Sequence, residues 1–188
     1  YHDATNSYIN NDTGNLIIRN KADDKDIIFR TDDGSGGTTA YLTLDGSATK
    51  VQIDKNMVFS DNVQAQFGGN VDLRIYSDDS NSYIDNENND LIIQNDATDK
   101  DIILKSDDGS GGVTAYITLD GSSAITTVHK IMRFDDNVDL RLGAGSDLRL
   151  YHTGSHGHIA NYTGDLYIKN ETTDGDMYFK VDDGGGND

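Results

Sequence analysis

The sequence has no cysteine, no proline and no tryptophan, only five phenylalanines and, counted along the chain, two glutamates, Glu87 and Glu171. Each absence excludes something. Without Cys there is neither a disulfide framework nor a thiolate metal site. No apolar run exceeds three residues, so no segment reads as a membrane span or a signal sequence, and membrane insertion is not expected. Positive charge is scarce as well: 15 Lys plus Arg face 33 Asp plus Glu, a net charge of −18, which argues against a nucleic-acid partner. What is abundant is turn chemistry. Asp (31), Asn (17) and Gly (20) supply 68 of the 188 residues, and all three favour turns over helix interiors, so a mainly helical fold is excluded. The hydrophobic fraction, 35%, is low for a compact domain of this length, yet its members are regularly spaced, unlike a disordered chain.

An internal repeat sets the organisation. Offset by 75 residues, positions 1–75 match 76–150 without a gap at 41 of 75 places, and a third, truncated copy at 151–188 matches the second at 16 of 38. The shared skeleton includes Asp/Asn-Leu-Ile-Ile (15–18, 90–93), Asp-Asp-Gly-Ser-Gly-Gly (32–37, 107–112), Ala-Tyr-x-Thr-Leu-Asp-Gly-Ser (40–47, 115–122) and Asp-Leu-Arg (72–74, 147–149). The chain therefore divides into repeat 1 (1–75), repeat 2 (76–150) and a truncated repeat 3 (151–188). A fixed period without insertions predicts stacked architecture in which each unit leans on its neighbours.

Within the repeats the apolar residues alternate: Leu91/Ile93, Ile102/Leu104, Ile117/Leu119, Leu140/Leu142, Leu148/Leu150, Leu166/Ile168 and Met177/Phe179. A period of two predicts short strands with one buried face, and Lys105, Arg149, Lys169 and Lys180 fall on the opposite parity. Asp, Asn and Gly between them mark turns, and the missing Pro suits strands whose N–H groups are all needed. The expected fold is all-β: an elongated, repetitive β-helix or β-solenoid-like fibre. Two forms are open, an intertwined homotrimer and a single-chain β-solenoid. The homotrimer is preferred because strand spacing varies, from 8 between Leu140 and Leu148 to 11 between Leu91 and Ile102, whereas solenoid rungs are near-constant. The apolar inventory also offers little core per chain, which oligomerisation remedies.

The segments Asp-Leu-Arg-Ile-Tyr-Ser-Asp-Asp-Ser-Asn-Ser-Tyr-Ile (72–84) and Asp-Leu-Arg-Leu-Tyr-His-Thr-Gly-Ser-His-Gly-His-Ile (147–159) resemble a repeat of tail-fibre-like structural proteins of tailed, notably marine, bacteriophages. The flanks at 136–146 and 164–170 resemble those of the same repeat, so the likeness covers nearly the whole chain. The resemblance implies a trimeric, β-rich virion component outside the cell, whose partners are itself, other virion proteins and a host cell-surface glycan or protein. Tyr1 opens inside a motif and no globular tip is recognised after Asp188, so the sequence is expected to be an excerpt of a longer protein.

Three groups of residues are candidates for chemistry. Asp-Asp-Gly recurs at Asp32 and Asp33, Asp107 and Asp108, and Asp182 and Asp183, and calcium takes clustered carboxylates in Gly-containing loops. The same tripeptide starts tight turns, and neither an EF-hand nor a calcium-solenoid pattern surrounds it, so the turn reading is preferred. His152, His156 and His158 replace Ser77, Asn81 and Tyr83 of the second copy. In a trimer His156 and His158 present six imidazoles able to hold a transition metal, but Ile159 is expected to be buried, which points both His side chains outward. Ten tyrosines could line a glycan surface, although their repetition favours cross-strand packing. No nucleophile elbow, phosphate loop or Cys nucleophile is present, and the carboxylates read as solvated turns, so neither catalytic residues nor a cofactor are expected. The function predicted is a non-enzymatic segment of a phage-type virion fibre that supports host attachment. A calcium-dependent adhesin and a glycan depolymerase are the alternatives.

Overall fold

A computed structural model describes residues 4–181 of the chain. Asp182 and Asp183 lie outside the described residues. The described residues contain strands and turns but no helix, as the Asp, Asn and Gly content requires. Two compact units divide the chain, Tyr1–Ile92 and Ile93–Asp188, and each holds two three-stranded antiparallel sheets.

In the first unit β1 (Ile27–Asp32), β2 (Thr38–Asp45) and β3 (Lys50–Ile53) form one meander, and β4 (Ala65–Phe67), β5 (Leu73–Ser77) and β6 (Ser82–Asn86) the other. In the second unit β7 (Ile102–Asp107), β8 (Val113–Asp120) and β9 (Ile125–Val128) repeat the first meander, and β10 (Leu140–Leu142), β11 (Leu148–His152) and β12 (Gly157–Asn161) the second. Every strand boundary of the second set lies 75 residues after its counterpart. So does the pairing. Ile27 faces Leu44 as Ile102 faces Leu119, and the register slips between Phe29 and Arg30 as it does between Leu104 and Lys105. At that bulge Tyr41 and Tyr116 oppose no residue. Their hydroxyls reach back to donate to the Asp32 and Asp107 carbonyls, 3.2 and 2.9 Å away, which ties the bulge to the strand end. The junction between repeats 1 and 2, at residues 75 and 76, falls inside β5.

Turn chemistry explains the short strands. Left-handed backbone recurs at Asp24, Asp99 and Asp174, at Gly14, Asn89 and Gly164, and at Gly34 and Gly109, positions occupied by the residues that tolerate it best. Asn20, Asn95 and Asn170 each fold a seven-residue turn, donating from Nδ2 to the carbonyl of Asp26, Asp101 or Asp176 while Oδ1 accepts the N–H two residues on. Asp26 and Asp101 then accept the N–H of Gly46 and Gly121 at 3.0 Å, seating this turn on the β2–β3 and β8–β9 connections.

Those two glycines permit a close approach. A β-carbon on Gly46 would lie 2.5 Å from the Lys25 carbonyl oxygen, and one on Gly121 would meet the Lys100 carbonyl in the same way. Gly46→Ala with Gly121→Ala is therefore expected to cost about 1–3 kcal/mol per site through backbone displacement. Gly69→Ala, where a β-carbon meets nothing within 4 Å, should leave thermal unfolding unchanged. Equal melting temperatures for the two variants would refute the assignment.

The structure departs from the sequence expectation at three of the alternating segments. Leu91/Ile93, Leu166/Ile168 and Met177/Phe179 are not in strands of the described chain. Alternation tells which face of a segment wants burial, but a ladder also needs a partner, and these segments flank the Asn95 and Asn170 turns, which fold without a hairpin. Among the described residues the strands pair only with immediate neighbours, antiparallel, and their ladders close no solenoid rung or β-helix.

Candidate functional site

Each sheet is two-faced. In β1–β3, Ile27, Leu44 and Val51 stand in one cross-strand row and Phe29, Leu42 and Ile53 in the next, whereas the opposite face carries Ile28, Thr43 and Gln52. The β7–β9 sheet repeats this with Ile102, Leu119 and Thr126, then Leu104, Ile117 and Val128. The smaller sheets do likewise: Ala65, Ile75 and Ile84 share a face, as do Leu140, Leu150 and Ile159. Their reverse faces carry Gln66, Arg74 and Asp85, and Arg141, Arg149 and Ala160.

No apolar face is fully covered. Among the described residues not one hydrophobic side chain is buried, and within each unit the strands of one sheet contact none of the other. Ile84 and Ile159, expected on the apolar face, are each 62% exposed in the single chain. An ordinary domain of this size puts such rows against a second layer. Among the described residues no such second layer covers them.

The polar faces are organised by few cations. Arg74 donates from Nη2 to Asp85 Oδ2 at 2.6 Å and also to Glu87. In the third copy Ala160 and Tyr162 replace those two acids, and Arg149 lies over the Tyr162 ring, 4.8 Å from its centroid. The cross-strand acids of Arg74 thus give way to a cation–π contact at Arg149, which also pairs with Asp139 Oδ2 at 3.5 Å. Tyr76 stacks on Tyr83 at 4.8 Å, and the equivalent Tyr151 stacks on His158 at 4.6 Å. These aromatics are cross-strand partners, Tyr76 opposite Tyr83 and Tyr151 opposite His158.

The His residues do not converge. His158 stands on the reverse face from Ile159, as alternation requires, with its ring against Tyr151. His156 lies in the β11–β12 turn, its ring 6.4 Å from that of His158 and tilted by 56°. His152 faces elsewhere: its Nδ1 is 2.8 Å from Asp136 Oδ1 and 3.0 Å from the Gly154 N–H. Among the described residues no three His, Asp or Glu side chains gather as a metal-ligand set.

The Asp-Asp-Gly turns hold themselves together. Asp33 Oδ1 accepts from the Ser35 hydroxyl at 2.7 Å, the Ser35 N–H at 2.8 Å and the Gly37 N–H at 3.1 Å, while Asp32 Oδ2 accepts the Gly34 N–H at 2.9 Å. Asp108 repeats all three bonds with Ser110 and Gly112, and Asp107 takes the Gly109 N–H. These donors, the Ser hydroxyl first, hold the Asp33 and Asp108 carboxyls below the ordinary aspartate value of 3.8. The equivalent Asp182 and Asp183 lie outside the described residues. A carboxyl depressed in the folded state stabilises above its unfolded value, and that contribution disappears as pH falls through the folded value. The melting temperature of the unmodified chain should thus exceed that of Asp33→Ala/Asp108→Ala near neutrality, and the gap should close as pH drops below 3.8. A gap that persists at pH 2 would mean the carboxylate charge is not what holds the turn.

No family model matches the chain, and neither a curated protein nor a solved structure matches it. The turn aspartates were visible in the sequence as turn formers. The Asn20/Asn95/Asn170 turn and the Arg74 and Arg149 clusters went unread, although the recurrence of that Asn in all three copies was the available signal.

Proposed function

We propose that this chain is a structural, non-enzymatic segment of a phage-type virion fibre, assembled as an intertwined homotrimer and contributing to host attachment. The observation that carries the assembly is the set of exposed apolar sheet faces in a chain with no buried hydrophobic side chain among its described residues. Identical partners supply the missing layer and carry the same rows at the same 75-residue interval. Placement in a phage fibre rests on the likeness of residues 72–84 and 147–159 to tail-fibre repeats. A β-helix or β-solenoid-like arrangement is then a property of the assembled chains: a single-chain solenoid is disfavoured because its strands would have to stack as successive rungs, whereas each chain pairs only neighbouring strands in meanders.

Sedimentation velocity tests the reading. The expected particle has three times the 20.5 kDa chain mass and a frictional ratio well above that of a compact protein. A particle of single-chain mass that stays folded would contradict it.

A further inference from the structure

Three stretches outside the strands stand out for being apolar and unpaired at once. Residues 15–19 (Asn-Leu-Ile-Ile-Arg), 90–94 (Asp-Leu-Ile-Ile-Gln) and 165–169 (Asp-Leu-Tyr-Ile-Lys) recur at the 75-residue period. None of their backbone N–H or carbonyl groups bonds to another part of the chain. Their central side chains, Ile17, Ile92 and Tyr167, are 69%, 75% and 72% exposed, and the flanking Leu and Ile are little better covered. Water can satisfy the open backbone but not the aliphatic side chains, and β-rich sequence with both kinds of group open is a template for strand addition.

The occupant is argued from area and from interval. The chain exposes 16051 Å². A compact monomer of 20.5 kDa would expose about 8,900 Å². The surplus is roughly 7,000 Å² for one chain, more than the roughly 1,000–2,500 Å² that each partner gives to an obligate interface and far beyond what a small ligand or short peptide covers. Three equivalent stretches 75 residues apart are matched together by a partner with the same spacing, which a second copy of this chain has. Charge does not oppose the match locally: the formal side-chain charges of the three stretches are +1, −1 and zero despite the net −18 of the chain.

We infer that residues 15–19, 90–94 and 165–169 are the strands by which each chain enters the sheets of a second copy, forming interchain ladders with the exposed sheet edges. This rests on the fibre reading above and adds to it the segments that interlock. Hydrogen–deuterium exchange with mass spectrometry on the full chain, at a concentration where sedimentation gives the oligomer, tests it. Peptides covering 15–19, 90–94 and 165–169 are expected to exchange within about tenfold of the rate of β8, because a ladder amide exchanges only on opening. An oligomer in which they exchange as fast as the turn at 96–99 overturns the interlocking and leaves the fibre reading intact. A folded single-chain particle overturns both.

Discussion

Replacing Leu44 and Leu119 together by Asp is expected to abolish assembly: sedimentation should return single-chain mass and circular dichroism should lose most of its β signal. The two leucines are equivalent members of the apolar rows, facing Ile27 and Ile102 across their sheets. In the isolated chain they are about as exposed as the rest of the face, so a monomer would tolerate the change as it tolerates most surface substitutions. In the proposed assembly the same positions would be buried. Truncating a buried Leu costs about 2–5 kcal/mol, an unpaired buried carboxylate adds to that, and a trimer repeats the loss in every copy. Thr43→Asp with Thr118→Asp, on the reverse face beside the same leucines, serves as control and should keep the assembly. If the leucine variant remains assembled with an unchanged melting temperature, the apolar faces are not the interface.

Raising ionic strength is expected to stabilise the protein strongly. Each chain carries 33 acids against 15 Lys plus Arg, and placing copies side by side concentrates this surplus. The repulsion acts across the Debye length, about 30 Å at 0.01 M salt and about 8 Å at 0.15 M, so most of it is screened within that range. Several kcal/mol of relieved repulsion corresponds to a rise in melting temperature of roughly 10 °C, at about 2–4 °C per kcal/mol for a chain of this length. The ion pairs at Arg74 and Arg149 act in the opposite sense but are few and partly solvated. A melting temperature that falls as sodium chloride is added would show that attractive pairs, not surplus charge, dominate.

Reading the site from sequence succeeded where the signal was local. Asp33 and Asp108 organise turns because an Asp two residues before a Ser and four before a Gly can accept all three donors within one loop, and no distant residue is needed. His158 and Ile159 fall on opposite faces because strand alternation leaves no choice. The reading failed where a partner had to be known. Leu91 and Ile93 alternate as convincingly as Leu148 and Leu150, but only the second pair has ladder neighbours, Leu140 and Leu142 before it and Ile159 and Asn161 after it. Nor could Asp136 be matched with His152, sixteen residues away, before the β11 hairpin placed them together.

The sequence by itself determined the all-β character, the turns and the 75-residue period, since left-handed Asp, Asn and Gly positions and two-residue alternation are properties of a few neighbouring residues. The tertiary structure alone decided which alternating segments become strands, the register and bulge that join them, and the fact that the apolar rows end up uncovered. Burial depends on what lies opposite a face, and that is set by where the chain returns rather than by the residues of the face.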